Sequence, residues 1–221
     1  MKYNWNRGIL VVLLSFMGSG FVHGQYDEDA KNILDKMSSK YKSIDSFTAS
    51  ITYSLDNDED DIHDTFSGRI GIKGSMFRMQ ADEQEIIIND GNVWTYLADE
   101  NEVNIDDYSP EEEDVTPSNI YTIYKKGYKY VIFGVETING KVYDVVDLAP
   151  ENTDSDYFRI RLYLGKTDSI LRRFAMYAKS GNRYTYDITD FNQNAGLTDD
   201  YFVFDPSNYE GVEVVDLRID N

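Results

Sequence analysis

The sequence contains no cysteine and few basic residues. Its 221 residues include 40 acidic side chains but only 21 basic side chains and two histidines. Without cysteine, the chain has no thiol nucleophile, iron–sulfur cluster, cysteine-rich zinc site or disulfide framework. The formal charge of −19 disfavours binding to nucleic acid or to an anionic membrane surface, since both require a basic face. The composition therefore favours an apolar or a basic partner.

Motifs of the common catalytic sites are also missing. The sequence has no G-x-S-x-G, no H-E-x-x-H and no glycine-rich phosphate loop. His63 lies within an acidic tract, where we expect a solvent-exposed side chain. Hydrolysis by a pair of carboxylates stays open as a hypothesis, because 40 acidic residues offer many pairs. We predict a protein that is not an enzyme and that uses no cofactor.

The one long apolar stretch lies at the N-terminus. Residues 8–21 follow Lys2 and Arg7 and have the length of a signal-peptide core, short of a comfortable membrane span. We predict a signal peptide over residues 1–24, whose removal leaves Gln25 first. A lipid anchor would require cysteine at that position, so we expect a soluble mature chain with no transmembrane segment. Loss of Lys2 and Arg7 lowers the formal charge from −19 to −21.

Apolar residues at helical spacing predict an amphipathic helix directly after the leader. They recur at Ala30, Ile33, Leu34, Met37 and Tyr41. Acidic residues precede them, where the helix dipole favours negative charge.

A second, short helix is predicted near the middle of the chain. The Thr-Pro pair at 116–117 is typical of an N-cap followed by the first helical position. Ile120, Ile123 and Tyr124 would form its apolar side, and Gly127 would end it.

Most of the remaining chain predicts strands. Phe47, Ala49, Ile51 and Tyr53 alternate with polar residues, which is typical of a strand with one apolar face. Turn signals such as the Asp-Gly pair at 90–91 separate similar segments by short links, so we expect antiparallel pairing. The predicted strands cover residues 47–53, 66–73, 76–81, 85–89, 93–97, 129–136, 142–148, 157–164, 170–178, 183–191, 201–204 and 212–217.

The acidic tract at residues 56–64 contains enough carboxylates to bind calcium. It lacks the glycine and the distal glutamate that define an EF-hand loop. We therefore interpret it as a solvated hairpin turn and predict no metal site, although calcium binding stays open.

These elements predict a mainly β fold of the α+β class, with a single domain over residues 25–221. A long sheet must either close on itself or be covered on its apolar face. We expect a single curved antiparallel sheet of about 11–12 strands that forms an unclosed half-barrel, with two or three helices covering its concave face. A space left between the sheet and the helices would be apolar and would suit a hydrophobic ligand.

Several motifs resemble those of the LolA family of periplasmic lipoprotein carriers. In chain order they are IDSFTA at 44–49, GRI at 68–70 with KGSMFR at 73–78, DGNVWTY at 90–96, TP at 116–117, and FVFDP at 202–206 with GVEV at 211–214. Each motif alone is weak, but together they span nearly the whole mature chain in the family's order.

The resemblance implies an unclosed half-barrel with a helical lid. It also implies a monomeric periplasmic carrier that binds the acyl chains of lipoproteins and shuttles them from an inner-membrane release complex to an outer-membrane receptor. A second interpretation stays open, in which a module of this fold senses lipid or a signalling partner in the periplasm without transporting anything.

An apolar ligand site follows from the same resemblance, although the sequence leaves open which face of each strand points inward. The candidate lining residues are Phe47, Ile51, Ile70, Phe77, Ile87, Trp94 and Tyr96 on strands, with Ile120, Ile123 and Tyr124 on the lid.

Two residues are candidates for a latch that holds the lid. Family members carry an arginine that bonds the lid, and that arginine falls on Lys73, followed by Gly74 where the family has proline. Lysine presents a point charge and not a planar fork of donors. Arg78 is the alternative latch, and an ordinary strand-edge lysine at Lys73 is equally compatible with the sequence.

Overall fold

The computed structural model describes residues 27–81, 83–108, 115 and 119–218. These residues form one α-helix, α1 (Glu28–Lys42), and twelve strands. The strands are β1 (Ser46–Asn57), β2 (Ile62–Lys73), β3 (Met76–Ala81), β4 (Gln84–Asn89), β5 (Asn92–Leu97), β6 (Glu102–Asp107), β7 (Tyr128–Ile138), β8 (Lys141–Pro150), β9 (Tyr157–Gly165), β10 (Leu171–Ala178), β11 (Arg183–Asn192) and β12 (Glu213–Asp216). The predicted signal peptide and the Thr-Pro pair lie outside the described residues. Within the described ranges, no helix has both the length and the apolar character that a membrane span needs.

Helix α1 begins at a carboxylate that also bonds the sheet. Asp27 is the N-cap, and its Oδ1 accepts hydrogen bonds from the backbone N–H groups of Asp29 and Ala30. Its Oδ2 accepts a bond of 3.1 Å from the backbone N–H of Ile132 on β7. That bond is the main cause that lowers the pKa of Asp27, so the carboxylate stays charged and fixes the helix to β7.

All twelve strands of the described chain belong to one sheet, in the order β12-β6-β5-β4-β3-β2-β1-β11-β10-β9-β8-β7. Neighbouring strands are antiparallel except for β12, which runs parallel to β6. The sheet ends at β12 and at β7 and does not close into a barrel. The predicted class is confirmed, but the fully antiparallel sheet is corrected to a mixed one, because a long crossover connection and not a tight turn leads from β11 to β12.

The predicted number of helices was wrong. Residues 119–127, the lid segment, contain only one short 3-10 helix (Ile123–Lys125) where a second α-helix was expected. Ile120, Thr122 and Ile123 are β-branched and have low helix propensity, and a helix this short is marginal without strong helix formers. The one α-helix of the described residues is α1.

Two strand predictions also need correction. β6 was not predicted, although Val103 and Ile105 alternate with polar residues in it. Residues 201–204 were predicted as a strand, but the first two end a 3-10 helix (Asp199–Phe202) and the other two are irregular. This segment packs on one face of the sheet, where no strand edge is available for pairing. A further 3-10 helix is Pro206–Asn208.

The sheet has two faces with different covers. The inner face carries the main core and is covered by α1 and the lid segment. The register places Phe47 beside Ile72 and Ile72 beside Phe77, so all three side chains lie on this face. Residues 197–218, the C-terminal strap, cover the outer face over β2 to β6 and then pair with β6 as β12.

The strap lies in close contact with the sheet at Gly71. A Cβ atom at this position would lie 2.6 Å from Cε1 of Tyr201 and 3.1 Å from Cδ1 of Leu197. Glycine is therefore required here by the approach of the strap, because a larger residue would displace it.

Candidate functional site

The lid covers one end of the inner face. Tyr41 of α1 stacks on Tyr121 of the lid segment with ring centroids 4.7 Å apart, and it meets the edge of Phe47 at 5.5 Å. Below these rings Phe47, Ile70 and Phe77 are buried. Aromatic packing and apolar burial thus join the lid to the sheet.

Four side chains tie α1 to the lid segment, and we call this set the lid joint: Asp35, Ser38, Tyr124 and Lys125. The Tyr124 hydroxyl donates to Asp35 Oδ1 at 2.6 Å, and Lys125 Nζ donates to Ser38 Oγ at 2.8 Å. Hydrogen bonds from Lys31 and Tyr124 lower the pKa of Asp35, whereas burial and the Asp35 carboxylate raise the pKa of Tyr124. The joint therefore pairs a charged carboxylate with a neutral phenol, which makes a strong bond.

Replacing Tyr124 with Phe should loosen the lid while keeping its ring in the core. A hydrogen bond to a charged group contributes about 1.5–3 kcal/mol, and here the partly exposed Asp35 can regain water, so we expect a loss of about 1 kcal/mol. Hydrogen exchange should then rise in the lid segment and in α1. Tyr121→Phe is the matched control. Equal exchange in both variants would show that the Asp35 bond does not hold the lid.

The inner face extends beyond the lid and forms an open groove of about 520 Å³. The residues that line the groove are Ile51, Tyr53, Thr65, Phe66, Ser67, Gly68, Met79, Ala81, Glu83, Gln84 and Tyr186. Cross-strand pairs place Tyr53 beside Phe66 and Tyr53 beside Tyr186. The volume lies within the range of known ligand pockets.

Aromatic rings form much of the groove wall. Tyr53 lies 5.0 Å from Tyr186 and 6.0 Å from Phe66, measured between ring centroids. Tyr186 in turn stacks on Phe174 at 4.3 Å. Burial raises the pKa of Tyr186 to about 12, so its hydroxyl is neutral at physiological pH. Phe66 is 60% exposed, which is unusual for phenylalanine and leaves apolar surface at the groove mouth.

A second recess lies beside the lid. It has a volume of about 580 Å³ and lies between Tyr41, Tyr121 and the β2–β3 turn. Phe47 and Ile72 form its apolar wall, and Lys73 lies at its rim. Open space therefore lies beside the lid at Tyr121.

The structure divides the ten predicted lining residues between the two faces. Those in the inner core are Phe47, Ile51, Ile70, Phe77, Ile120, Ile123 and Tyr124. Ile87, Trp94 and Tyr96 lie instead on the outer face, packed against Phe202 and Phe204 of the strap. Of the ten, Ile51 alone lines the open groove.

Both predicted latch residues bond the strap. Lys73 Nζ donates to Asp199 Oδ1 at 2.7 Å, and Arg78 Nη1 donates to the backbone carbonyl of Tyr201 at 2.7 Å. The Arg78 guanidinium also lies over the Tyr201 ring. These bonds fix the cover of the outer face, whereas the lid itself is held by the lid joint.

Sequence reasoning missed most of the groove and the lid joint. The strand period placed Tyr53 on the same face as Phe47 and Ile51, but Tyr53 was not among the candidate lining residues. Once the β1–β2 turn is located, hairpin pairing places Phe66 opposite Tyr53 and therefore on the same face. Asp35 carried no comparable signal, because it lies on the polar side of α1 and its partner is distant in sequence.

The acidic tract contains the turn between β1 and β2, at residues 58–61, and its other residues belong to the ends of the two strands. Asp56 accepts bonds from Arg183 and pairs with His63 at 3.2 Å. Within the described ranges no group of three or more histidine and acidic side chains is arranged to hold a metal ion.

Two solved structures illustrate the fold. An uncharacterized conserved protein from Thermus thermophilus is 16% identical, with 85% of this chain and 99% of that chain covered and a TM-score of 0.57. The lipoprotein LppX from Mycobacterium tuberculosis is 10% identical, with 78% of this chain and all of that chain covered and a TM-score of 0.50. At such low identity, these similarities concern the fold alone.

Sequence comparison identifies the family. No curated protein matches this chain closely enough to count as a relative. Residues 42–205 match the LolA family, described as outer membrane lipoprotein carrier protein LolA. This match spans well over half of the sequence, and the chain therefore belongs to the LolA family.

Proposed function

We propose that this chain is a periplasmic carrier for the acyl chains of outer-membrane lipoproteins, which it shuttles from an inner-membrane release complex to an outer-membrane receptor. The mature carrier would be one domain over residues 25–221, exported by the signal peptide at 1–24, and would act as a monomer without cofactor or catalysis. Family membership supports this role.

The observation that carries the proposal is the inner face that continues past its lid. The lid buries Phe47 and Ile70, whereas Tyr53 and Phe66 on the same face remain partly or largely exposed. A folded domain gains stability by covering such surface, so an open apolar groove favours a ligand that completes it.

The energetics suit a carrier. Burial of a methylene group contributes about 0.8 kcal/mol, so ten sheltered methylenes give about 8 kcal/mol, which corresponds to micromolar affinity before ordering costs. An acyl chain gains a similar free energy when it enters a membrane. Binding of this strength shields the cargo from water while a receptor can still remove it.

We propose that the acyl site consists of the groove and the part of the core that the lid now covers. Ile51 belongs to the open part, whereas Phe47, Ile70, Phe77, Ile120, Ile123 and Tyr124 would join it when the lid segment moves. Ile87, Trp94 and Tyr96 are left out, since they pack under the strap. Opening of the lid joint would lengthen the site for longer or additional chains.

Release of lipoproteins from spheroplasts tests this function. Purified mature chain is added, and lipidated proteins in the supernatant are captured with it and identified by mass spectrometry. We expect triacylated lipoproteins to be recovered. The matched control is one cargo whose acylated cysteine is replaced by serine, which should not be captured. Absence of any lipidated protein from the captured material would contradict the proposal.

A second candidate function is a sensor module that binds lipid or a signalling partner without transport. It is favoured by Lys73, which stands where the family has its lid-bonding arginine and here bonds the strap. Depletion of the protein distinguishes the two functions. A carrier predicts mislocalised outer-membrane lipoproteins, whereas normal localisation would favour the sensor.

A further inference from the structure

The open groove has carboxylates near its mouth, and no lysine or arginine is among the described residues that line it. Among the described residues that line it, Glu83 is the one charged side chain. Asp64 lies two residues from Phe66 on β2, so both side chains point to the inner face. Glu83 and Asp64 are both exposed.

The field of Asp64 reaches the groove wall. Burial is the main cause that raises the pKa of Tyr53, and the negative charge of Asp64 raises it further. Tyr53 is a wall residue of the groove, so a ligand beside it would experience the same negative potential.

The nearby basic side chains do not point into the groove. Arg183 and His63 lie at the same end of β11 and β2, but the register puts both on the outer face. There Arg183 bonds Asp56 at 3.1 Å, and His63 lies 3.2 Å from the same carboxylate. A carboxylate or phosphate on a ligand in the groove would therefore meet like charge and find no ion-pair partner among the lining residues that the structure describes.

We infer that the groove selects acyl chains in an uncharged or cationic linkage, such as an ester or an amide, over free fatty acids and anionic lipids. This selectivity rests on the proposed acyl-binding function. The apolar wall supplies affinity for the chain, and the rim carboxylates set the preference for the group attached to it. A preference of this kind would keep the site free of the anionic lipids that compete with acylated protein.

Three ligands with the same lauroyl chain test the inference. Monolaurin is neutral, lauroylcholine is cationic, and laurate is ionised at neutral pH. Binding of each to the mature chain is measured by calorimetry below its micelle concentration. The exposed rim carboxylates, Asp64 and Glu83, should together make laurate bind about two- to thirtyfold more weakly than monolaurin at low salt. Lauroylcholine should bind at least as tightly as monolaurin. Added salt should reduce the difference in affinity between laurate and monolaurin.

A double variant locates the effect at the rim. D64N/E83Q should bring the affinity for laurate close to the affinity for monolaurin. D200N/E213Q removes the same charge from exposed positions on the strap and should preserve the discrimination.

Two results would overturn the inference while leaving acyl binding intact. The first is equal affinity of the wild type for laurate and monolaurin at low salt. The second is an equal change in the discrimination between these ligands in the two double variants. Failure of all three ligands to bind would contradict the proposed function and the inference with it.

Discussion

Replacing Ala81 with Trp is expected to weaken acyl-chain binding by at least about tenfold, since exclusion of two methylene groups already costs about 1.6 kcal/mol. Ala81 pairs with Gly68 on β2, and both line the groove. An indole at this position would occupy the space over Gly68 that an acyl chain needs. Binding is measured by displacement of a fluorescent acyl probe from the mature chain.

The matched control for the groove variant is Thr52→Trp. Thr52 lies next to Ile51 on β1, but its side chain points to the outer face, where its hydroxyl pairs with Ser67. The Thr52→Trp variant adds the same indole to the same sheet, but on the outer face and not in the groove. Thermal melting of both variants establishes that they fold. Wild-type affinity in Ala81→Trp would place the acyl site elsewhere, and equal loss in both variants would point to a general effect on the sheet.

Replacing Glu85 with Gln is expected to destabilise the protein by about 3 kcal/mol, the lower end of the cost of breaking a buried ion pair. Glu85 is buried on the outer face, where Arg78 Nε and Gln80 Nε2 donate to its Oε1 at 2.7 and 2.8 Å. The Tyr209 hydroxyl of the strap donates to its Oε2. The variant leaves the Arg78 guanidinium largely buried without its counter-ion.

The same network predicts how stability depends on pH. Burial alone raises the pKa of Glu85, but the bonds from Arg78 and Tyr209 outweigh it, and the pKa is lowered below its ordinary value of 4.5. A carboxyl group with a lowered folded-state pKa stabilises the protein above that ordinary value, and this contribution is lost as the pH falls through the folded-state pKa. Wild-type stability should therefore decrease below about pH 4.5 more steeply than that of Glu85→Gln.

Urea unfolding at several pH values measures both effects. Glu83→Gln is the matched control, because it makes the same change on an exposed residue two positions away. We expect it to remain within about 0.5 kcal/mol of the wild type. A Glu85→Gln variant as stable as Glu83→Gln at neutral pH would show that the network does not anchor the strap.

The parts of the fold that could be predicted from the sequence are those with local patterns. The i, i+3, i+4 spacing from Ala30 to Tyr41 determines both the extent of α1 and its buried face. The turn pairs at 90–91 and 139–140 have the positive φ angles that their sequences favour, so the hairpins they join were placed correctly.

Non-local contacts could not be predicted in this way. The parallel pairing of β12 with β6 joins residues more than a hundred positions apart, and no local signal specifies it. Residues 201–204 have the composition of a strand, but Phe202 and Phe204 pack on the outer face because Ile87 and Val103 offer an apolar surface there. Tertiary packing therefore determines the conformation of this segment and overrides its local strand propensity.

The candidate site also combines features that local patterns predict with features that depend on non-local contacts. The alternation in β1 places Phe47, Ile51 and Tyr53 on one face, but it does not show how far the lid reaches along that face. The roles of Lys73 and Arg78 depend on the path of the strap, which brings Asp199 and Tyr201 to them across more than a hundred residues. The sequence thus located the apolar face, whereas the groove became visible only with the position of its cover.

The most direct measurement of the central claim is photo-crosslinking with a lipid that carries a diazirine within its acyl chain. Labelled peptides from the mature chain are identified by mass spectrometry. The inner-face site predicts labelling at Ile51, Met79, Ala81 and Tyr186, together with loss of labelling in Ala81→Trp. Labelling confined to the outer face at Ile87, Trp94 and the strap, or no saturable labelling at all, would contradict an acyl site on the inner face of the sheet.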